Sequence, residues 1–275
     1  MEEVKFSVSM CVYRKDNPVW FEVAVESILN QTMKPAEVIL VVDGPVPDSL
    51  DVVIQKYEAN VLFKVIRFAE NMGHGEARRV GLAACSYELV AIMDADDISL
   101  SNRFEKQLQL FEQDKTIAII GGIITEFVGE ESNIVGKREV PQTDKEIKAY
   151  MKNRCPMNLV TVMFKKELVE QVGGFIDWYC EEDYYLWVRM ALANMKFANV
   201  SDVLVNVRVG NEMYQRRGGW KYFSSEAKLQ RFMLNKKLIG VPKYFVNVAE
   251  RFVLQVLMSN RLRGWVFQKF ARDKV

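Results

Sequence analysis

A single histidine, His74, stands in a chain of 275 residues, so no centre built from several imidazoles can form, and imidazole acid–base chemistry would rest on that one residue. Cysteine is nearly as scarce. Cys11, Cys85, Cys155 and Cys180 lie far apart with no CxxC spacing, which gives neither a zinc-site pattern nor a disulfide framework. Buried, reduced thiols are the expectation for all four. No excess of charge exists either: 37 Lys and Arg face 36 Asp and Glu, and a net charge of +1 supplies no general pull toward nucleic acid. No nucleic-acid partner is expected. The longest uncharged apolar stretches, around residues 116–125 and 252–260, fall well short of the ~20 residues that span a bilayer. The opening Met1-Glu-Glu-Val-Lys-Phe6 has neither a basic n-region nor an apolar h-region, so synthesis in the cytosol is expected. What is abundant is apolar residues, 49%, beside 27% charged ones, which suits one or two compact domains with a sizeable core.

Along the chain the hydrophobic period alternates between strand and helix. Residues 6–13 read as a strand ended by the polar turn 14–18; Phe21, Val25, Ile28 and Leu29 recur at helical spacing; residues 38–42 form an apolar strand that stops at Asp43-Gly44-Pro45. A helix over 49–57, a strand over 62–68, a loop over 70–75 and a helix over 76–84 follow, leading to the apolar run 89–93. Strands separated by helices predict an α/β fold with a mixed, mainly parallel sheet flanked by helices, and right-handed crossovers. In such sheets ligands bind beyond the carboxyl ends of the strands, so the turns at 13–16, 43–44 and 94–97 are expected to converge on one crevice. The loop Glu70-Asn-Met-Gly-His-Gly75 matches neither GxGxxG nor GxxxxGK[ST]. Beyond the acids the spacing predicts a helix over 102–113, a strand over 117–127, a hairpin or loop over 128–143, a strand over 159–164, a short helix over 166–172, a helix opened by Glu181-Glu182-Asp183, and a strand over 203–209. From Trp220 onward the periodicity is helical and the composition basic, placing a boundary near 217–220.

The apolar run 89–93 feeds straight into Asp94-Ala95-Asp96-Asp97. Asp94 and Asp96 alternate around small Ala95, so in extended backbone both side chains leave one face. Their repulsion calls for a cation or hydrogen-bond donors opposite. A hard divalent ion, Mg²⁺ or Mn²⁺, held by one or two carboxylates and substrate phosphates is one reading. The other is that Asp94 ends the strand and Asp96 or Asp97 caps the helix beginning near Ser99 to Arg103. Glu181, Glu182 and Asp183 likewise read as ordinary acids at the positive end of a helix.

Five separated pieces, Ser7 to Tyr13, Glu26 to Thr32, Val41-Val-Asp43-Gly44, Asp94-Ala-Asp96-Asp97, and Gly173-Gly-Phe175 followed by Glu182-Asp183, together resemble the family 2 inverting glycosyltransferases of the GT-A fold, in particular those building capsular, exopolysaccharide or O-antigen sugars. The resemblance covers roughly residues 6–219. It implies a GT-A catalytic domain over 1–219, with a nucleotide-sugar half to about residue 97 and an acceptor half after it, followed by a basic helical extension over 220–275. It implies that Tyr13 stacks on the nucleotide base, that Asp43 accepts a hydrogen bond from it, that Asp96 ligates Mg²⁺ or Mn²⁺ on the diphosphate with Asp94 beside it, and that Asp183 is the base with Glu182 its neighbour. Many relatives carry two adjacent Asp before the glycine, where this chain has Val42-Asp43. In relatives the loop after the last strand folds over the diphosphate, which nominates Arg208, then Arg216 or Arg217, and the helix after Gly73-His74-Gly75 offers Arg78 and Arg79 to the nucleotide sugar. The implied partners are a UDP-linked hexose donor and a glycan acceptor, free or polyprenyl-linked. Arg261 to Lys274, with Trp265, Phe267 and Phe270, is expected to rest on an anionic membrane at the inner face of the plasma membrane, while most of Phe245, Val248, Phe252, Leu254, Val256 and Leu257 are expected to pack on the catalytic domain. A nucleotidyltransferase making sugar nucleotides, and a non-catalytic binding protein, are the rival readings.

Overall fold

Side-chain alternation along the first strand sets the architecture. In β1 (Phe6–Tyr13), Phe6, Val8, Met10 and Val12 enter one hydrophobic core, and Ser7 and Ser9 take the opposite face. The small residues there let a helix approach closely: on α3 (His74–Ala84), a Cβ added to Gly81 would lie 2.6 Å from Ser9 Oγ. In β2 (Glu37–Asp43), Val38, Leu40 and Val42 join the first core and Ile39 the second; in β4 (Leu89–Met93), Leu89, Ala91 and Met93 take one side and Val90 and Ile92 the other. These strands read as unbroken apolar runs because both faces are covered. The computed structural model describes residues 4–210, 218–259 and 262–263.

Among the described residues the strands form one nine-stranded mixed sheet. β3 (Phe63–Arg67), β2, β1 and β4 are parallel neighbours. The sheet continues through β8 (Met163–Lys165), antiparallel to β4, and β6 (Ile117–Phe127), antiparallel to β8. Next comes β9 (Lys196–Arg208), parallel to β6, and the two-residue β5 (Ile98–Ser99) pairs on β9. β7 (Ile134–Arg138) folds back on β6, giving the expected hairpin. α1 (Pro18–Leu29), α2 (Asp48–Glu58) and α3 are the crossover helices of the parallel half. α4 (Arg103–Gln113), α5 (Asp144–Met151), α6 (Lys166–Gln171) and α7 (Glu182–Leu192) belong to the rest of the sheet, and α8 (Trp220–Asn235) and α9 (Val241–Phe252) follow it.

The structure departs from the sequence reading at several points. α5 falls in a stretch given no element, yet Thr143 and Glu146 form a capping box at its start, a signal present in the sequence. The strand expected over 159–164 is instead a 3₁₀ turn, Leu159–Thr161, followed by β8, because Thr161 Oγ1 is tied down, donating to Asn158 O at 2.7 Å and accepting Gly122 N–H at 3.0 Å. β9 begins at Lys196, seven residues before the expected strand at 203. Asp97 caps no helix: residues 98–99 are extended, α4 starts at Arg103, and the Asp97 carboxylate is used elsewhere. Cys180 is exposed rather than buried, and none of the four cysteines is in a disulfide.

The first of the C-terminal helices shares the core. Leu229, Met233 and Ile239 join the second core beside Phe175 and Trp187. α9, however, docks through polar residues. Asn247 Nδ2 donates to Lys152 O at 2.8 Å, Arg251 Nη2 to Asn153 O at 2.8 Å, and Arg251 pairs with Glu226 at 3.0 Å. Phe245 and Leu257, expected to pack inward, are each 64% exposed.

Candidate active site

Register brings the strand ends together. Tyr13 pairs with Asp43 and Met10 with Met93, so Tyr13, Asp43 and Asp94 stand at one edge of the sheet. Asp43 is buried and already occupied: Oδ1 accepts Met72 N–H at 2.6 Å, and Oδ2 accepts Asn71 Nδ2–H at 2.8 Å and Gly73 N–H at 3.0 Å. It therefore fixes the loop that enters α3. Gly44 permits this, with φ of +86° and a position where a Cβ would meet Asn71 N at 2.6 Å. The Tyr13 ring lies edge-on to His74 with centroids 5.9 Å apart, and burial depresses the His74 pKa, so the imidazole is neutral at pH 7.

Arg78 links the two acid motifs. It projects from the face of α3 that carries Gly75 and Gly81 at i±3, the face that packs closely. Its Nη1 donates to Glu182 Oε1 at 2.5 Å and its Nη2 to Asp94 Oδ1 at 3.2 Å, with its side chain 8% exposed. Arg79, one position on, faces solvent and pairs with Glu76 of its own helix, so the structure brings only one of the two arginines to the cluster.

Asp183, in the first turn of α7, sits next to Glu182, and its Oδ1 accepts the N–H of Tyr184 at 2.7 Å. Burial, then the neighbouring Glu182 charge, push its carboxyl up to about 6, against the opposing pull of the Tyr184 N–H, Arg78 and Arg138. The Cys155 thiol lies 3.9 Å from Asp183 Oδ2. Nothing in the spacing of Cys155 pointed to this neighbour.

A fourth carboxylate joins Asp94, Asp96 and Asp97. Asp16, from the turn after β1, accepts the Tyr13 N–H at 2.9 Å; burial pushes its carboxyl up to about 7, with Asp96 and Asp94 adding to the shift. Asp97 is also pushed well up by burial and by Asp96 and Asp94. Beneath them the fully buried Arg103 donates to Ile92 O at 2.8 Å. The mutual repulsion that, after burial, raises Asp16 and Asp97 is what a hard divalent cation on these oxygen donors would offset. Among the described residues no group of three or more His, Cys, Asp or Glu forms a metal cage, so Asp94 and Asp96 would be completed by substrate oxygens and water.

Arg208 braces the acid turn. Its N–H donates to Asp97 Oδ1 at 2.9 Å, its Nε to Asp96 O at 3.3 Å and its Nη1 to Gly129 O at 2.8 Å. The guanidinium also lies 4.5 Å from the Trp20 ring centre and 4.6 Å from that of Phe127. These contacts hold it against the acid turn. Arg216, Arg217, Arg261 and residues 264–275 lie outside the described residues.

Residues 7–173 match the model of the family described as Glycosyl transferase family 2. The UDP-Gal:alpha-D-GlcNAc-diphosphoundecaprenol beta-1,3-galactosyltransferase of Escherichia coli is 34% identical over 268 residues, which is 98% of this chain and 97% of that protein. The amylovoran biosynthesis glycosyltransferase AmsE of Erwinia amylovora is 34% identical over 96% of this chain and 98% of its own length. Among solved structures, S. aureus TarS in complex with UDP-GlcNAc superposes with a TM-score of 0.64 at 18% identity, covering 91% of this chain and 73% of that one. The mannosyltransferase of Pyrobaculum calidifontis in complex with GDP-Man and Mn2+ gives 0.63 at 16% identity, covering 94% and 71%. Those two likenesses speak to the fold, the GT-A arrangement of a mostly parallel sheet flanked by helices. With its sequence matched over more than half its length, the chain belongs to glycosyl transferase family 2 and is a glycosyltransferase.

Proposed function

We propose that the chain transfers a hexosyl group, with inversion, from a UDP-linked donor to a hydroxyl of a surface-polysaccharide or lipid-linked glycan. The observation that carries this reading is the guanidinium of Arg78, which places Glu182, and hence the neighbouring Asp183, beside the Asp94 turn. The Escherichia coli relative, named for a UDP-Gal donor and a diphosphoundecaprenol acceptor, supports the partner classes.

Asp183 takes the acceptor hydroxyl proton. Its carboxyl, pushed up to about 6, is ionised at pH 7 yet basic enough to accept that proton. The hydroxyl oxygen forms a bond to C1 from the side opposite the leaving group; the bond from C1 to the diphosphate oxygen breaks, and its electron pair leaves with the nucleoside diphosphate. Displacement in one step inverts C1. Asp96, with Asp94, would hold Mg²⁺ or Mn²⁺, which when bound neutralises charge on the diphosphate. Arg78 keeps Asp94 and Glu182 in place, and Tyr13 and His74 wall the base pocket, with Asp43 holding the loop beside it. Arg208, Arg216 and Arg217 are the basic residues closest in sequence to the end of β9, and we assign the diphosphate contact to this group. The protein acts at the cytoplasmic side, where nucleotide sugars are made.

Titration of the protein with UDP in the presence of Mn²⁺ tests the anchor. Asp96→Ala is expected to lose the metal-dependent part of UDP binding, leaving the same weak affinity with and without chelator. Unchanged, chelator-sensitive binding by Asp96→Ala removes the metal assignment.

A further inference from the structure

α9 is turned inside out. Its inward residues are Asn247 and Arg251, continued one turn on by Gln255, and all three are buried. Its outward residues are Val241, Phe245 and Val246, continued by Val253 and Leu257, and all of these are exposed. A surface helix of a globular protein normally points its apolar stripe at the core. Here the polar stripe is fastened to the body by Lys152 O, Asn153 O, Gln230 and Glu226, so rotation of the helix would break these buried hydrogen bonds and the Arg251–Glu226 pair. The apolar stripe is thereby held outward on a rigid support. Trp220, 64% exposed, extends it through ring contact with Phe252 at 5.9 Å.

Charge decides what this face meets. Residues 220–275 hold twelve Lys and Arg against three Asp and Glu, so the remaining chain has eight more acids than bases although the whole is near neutral. Arg251 and Arg263 are buried, but the other ten cations on the segment that carries an outward apolar stripe and an exposed tryptophan favour an anionic lipid surface over a second, equally basic copy. No helix among the described residues is long and apolar enough to cross a membrane, so the contact lies in the interface plane. We infer that the outward face of α9 and its continuation, with Trp220, is a docking surface for an anionic phospholipid bilayer. The choice of occupant draws on the lipid-linked acceptor proposed above, but vesicle binding needs neither donor nor acceptor, so either idea can fail alone.

Co-sedimentation of the full chain with phosphatidylcholine vesicles, with and without phosphatidylglycerol, tests it beside a Phe245→Ser/Val253→Ser variant. Both side chains are exposed, so the variant is expected to keep the wild-type Tm. The expected result is binding that requires phosphatidylglycerol, weakens with salt, and falls roughly tenfold or more in the variant. Truncation after Arg263 is expected to leave that dependence on Phe245 and Val253 in place. Binding lost on truncation but indifferent to the two substitutions assigns the contact to the tail and overturns the inference. So does absence of vesicle binding, whether the chain is a monomer or a dimer that the substitutions dissociate.

Discussion

At the scale of single residues, the site depends on one buried cation among carboxylates. Arg78→Ala leaves Glu182, whose side chain is 14% exposed, and the half-open Asp94 without their partner, and the expected loss of stability is about 3 kcal/mol by urea denaturation. Asp183 makes a pH-dependent prediction. Its base form is needed, so kcat/KM is expected to rise roughly tenfold per pH unit below about 6 and to level off above it. The sign for stability is opposite. The native carboxyl binds its proton more tightly than an unfolded one at 3.8, so stability is full below that value and declines as pH rises through about 6. Asp183→Asn is therefore expected to raise Tm at pH 8 and to leave it unchanged at pH 3. The acid pair Asp94 and Asp96 was legible because a two-residue strand period puts both on one face. Choosing Arg78 over Arg79 was not, as adjacent helical residues differ only in which way packing turns them. The glycines three residues to either side of Arg78 were the available clue.

At the scale of elements, α3 is placed by close contact with β1. Ser9 Oγ is buried with no hydrogen-bond partner among the described residues and sits where a Gly81 side chain would go. Gly81→Ala is expected to cost about 1–3 kcal/mol through that clash. Ser9→Ala is expected to be neutral or slightly stabilising, and combining the two should recover most of the loss. A double-mutant cycle of unfolding free energies measures this; simple additivity would mean that α3 is seated by other contacts. The alternation of apolar and small residues in β1 made this strand readable, whereas the outward turn of Phe245 and Leu257 was not, for a physical reason. Periodicity locates an apolar stripe but does not say which side of the helix faces the protein, and only the polar anchors at Asn247 and Arg251 settle that.

At the scale of the whole molecule, two cores sandwich a sheet whose parallel half lines up Tyr13, Asp43 and Asp94. The antiparallel and C-terminal parts bring Glu182 and Asp183 to meet them across Arg78. The parallel half was legible from local period alone. The second half was less so, since β8 is three residues long and β9 leaves its expected start, their pairings being set by distant chain that no local pattern encodes. The central claim is that this meeting of acids is a site of glycosyl transfer with Asp183 as base. Its most direct test is UDP release from a panel of UDP-hexoses with lipid-linked glycan acceptors, comparing wild type and Asp183→Asn alongside UDP binding. The account predicts that Asp183→Asn loses roughly 10²–10⁴-fold in transfer while binding UDP as the wild type does. Transfer by Asp183→Asn at a near wild-type rate would contradict it.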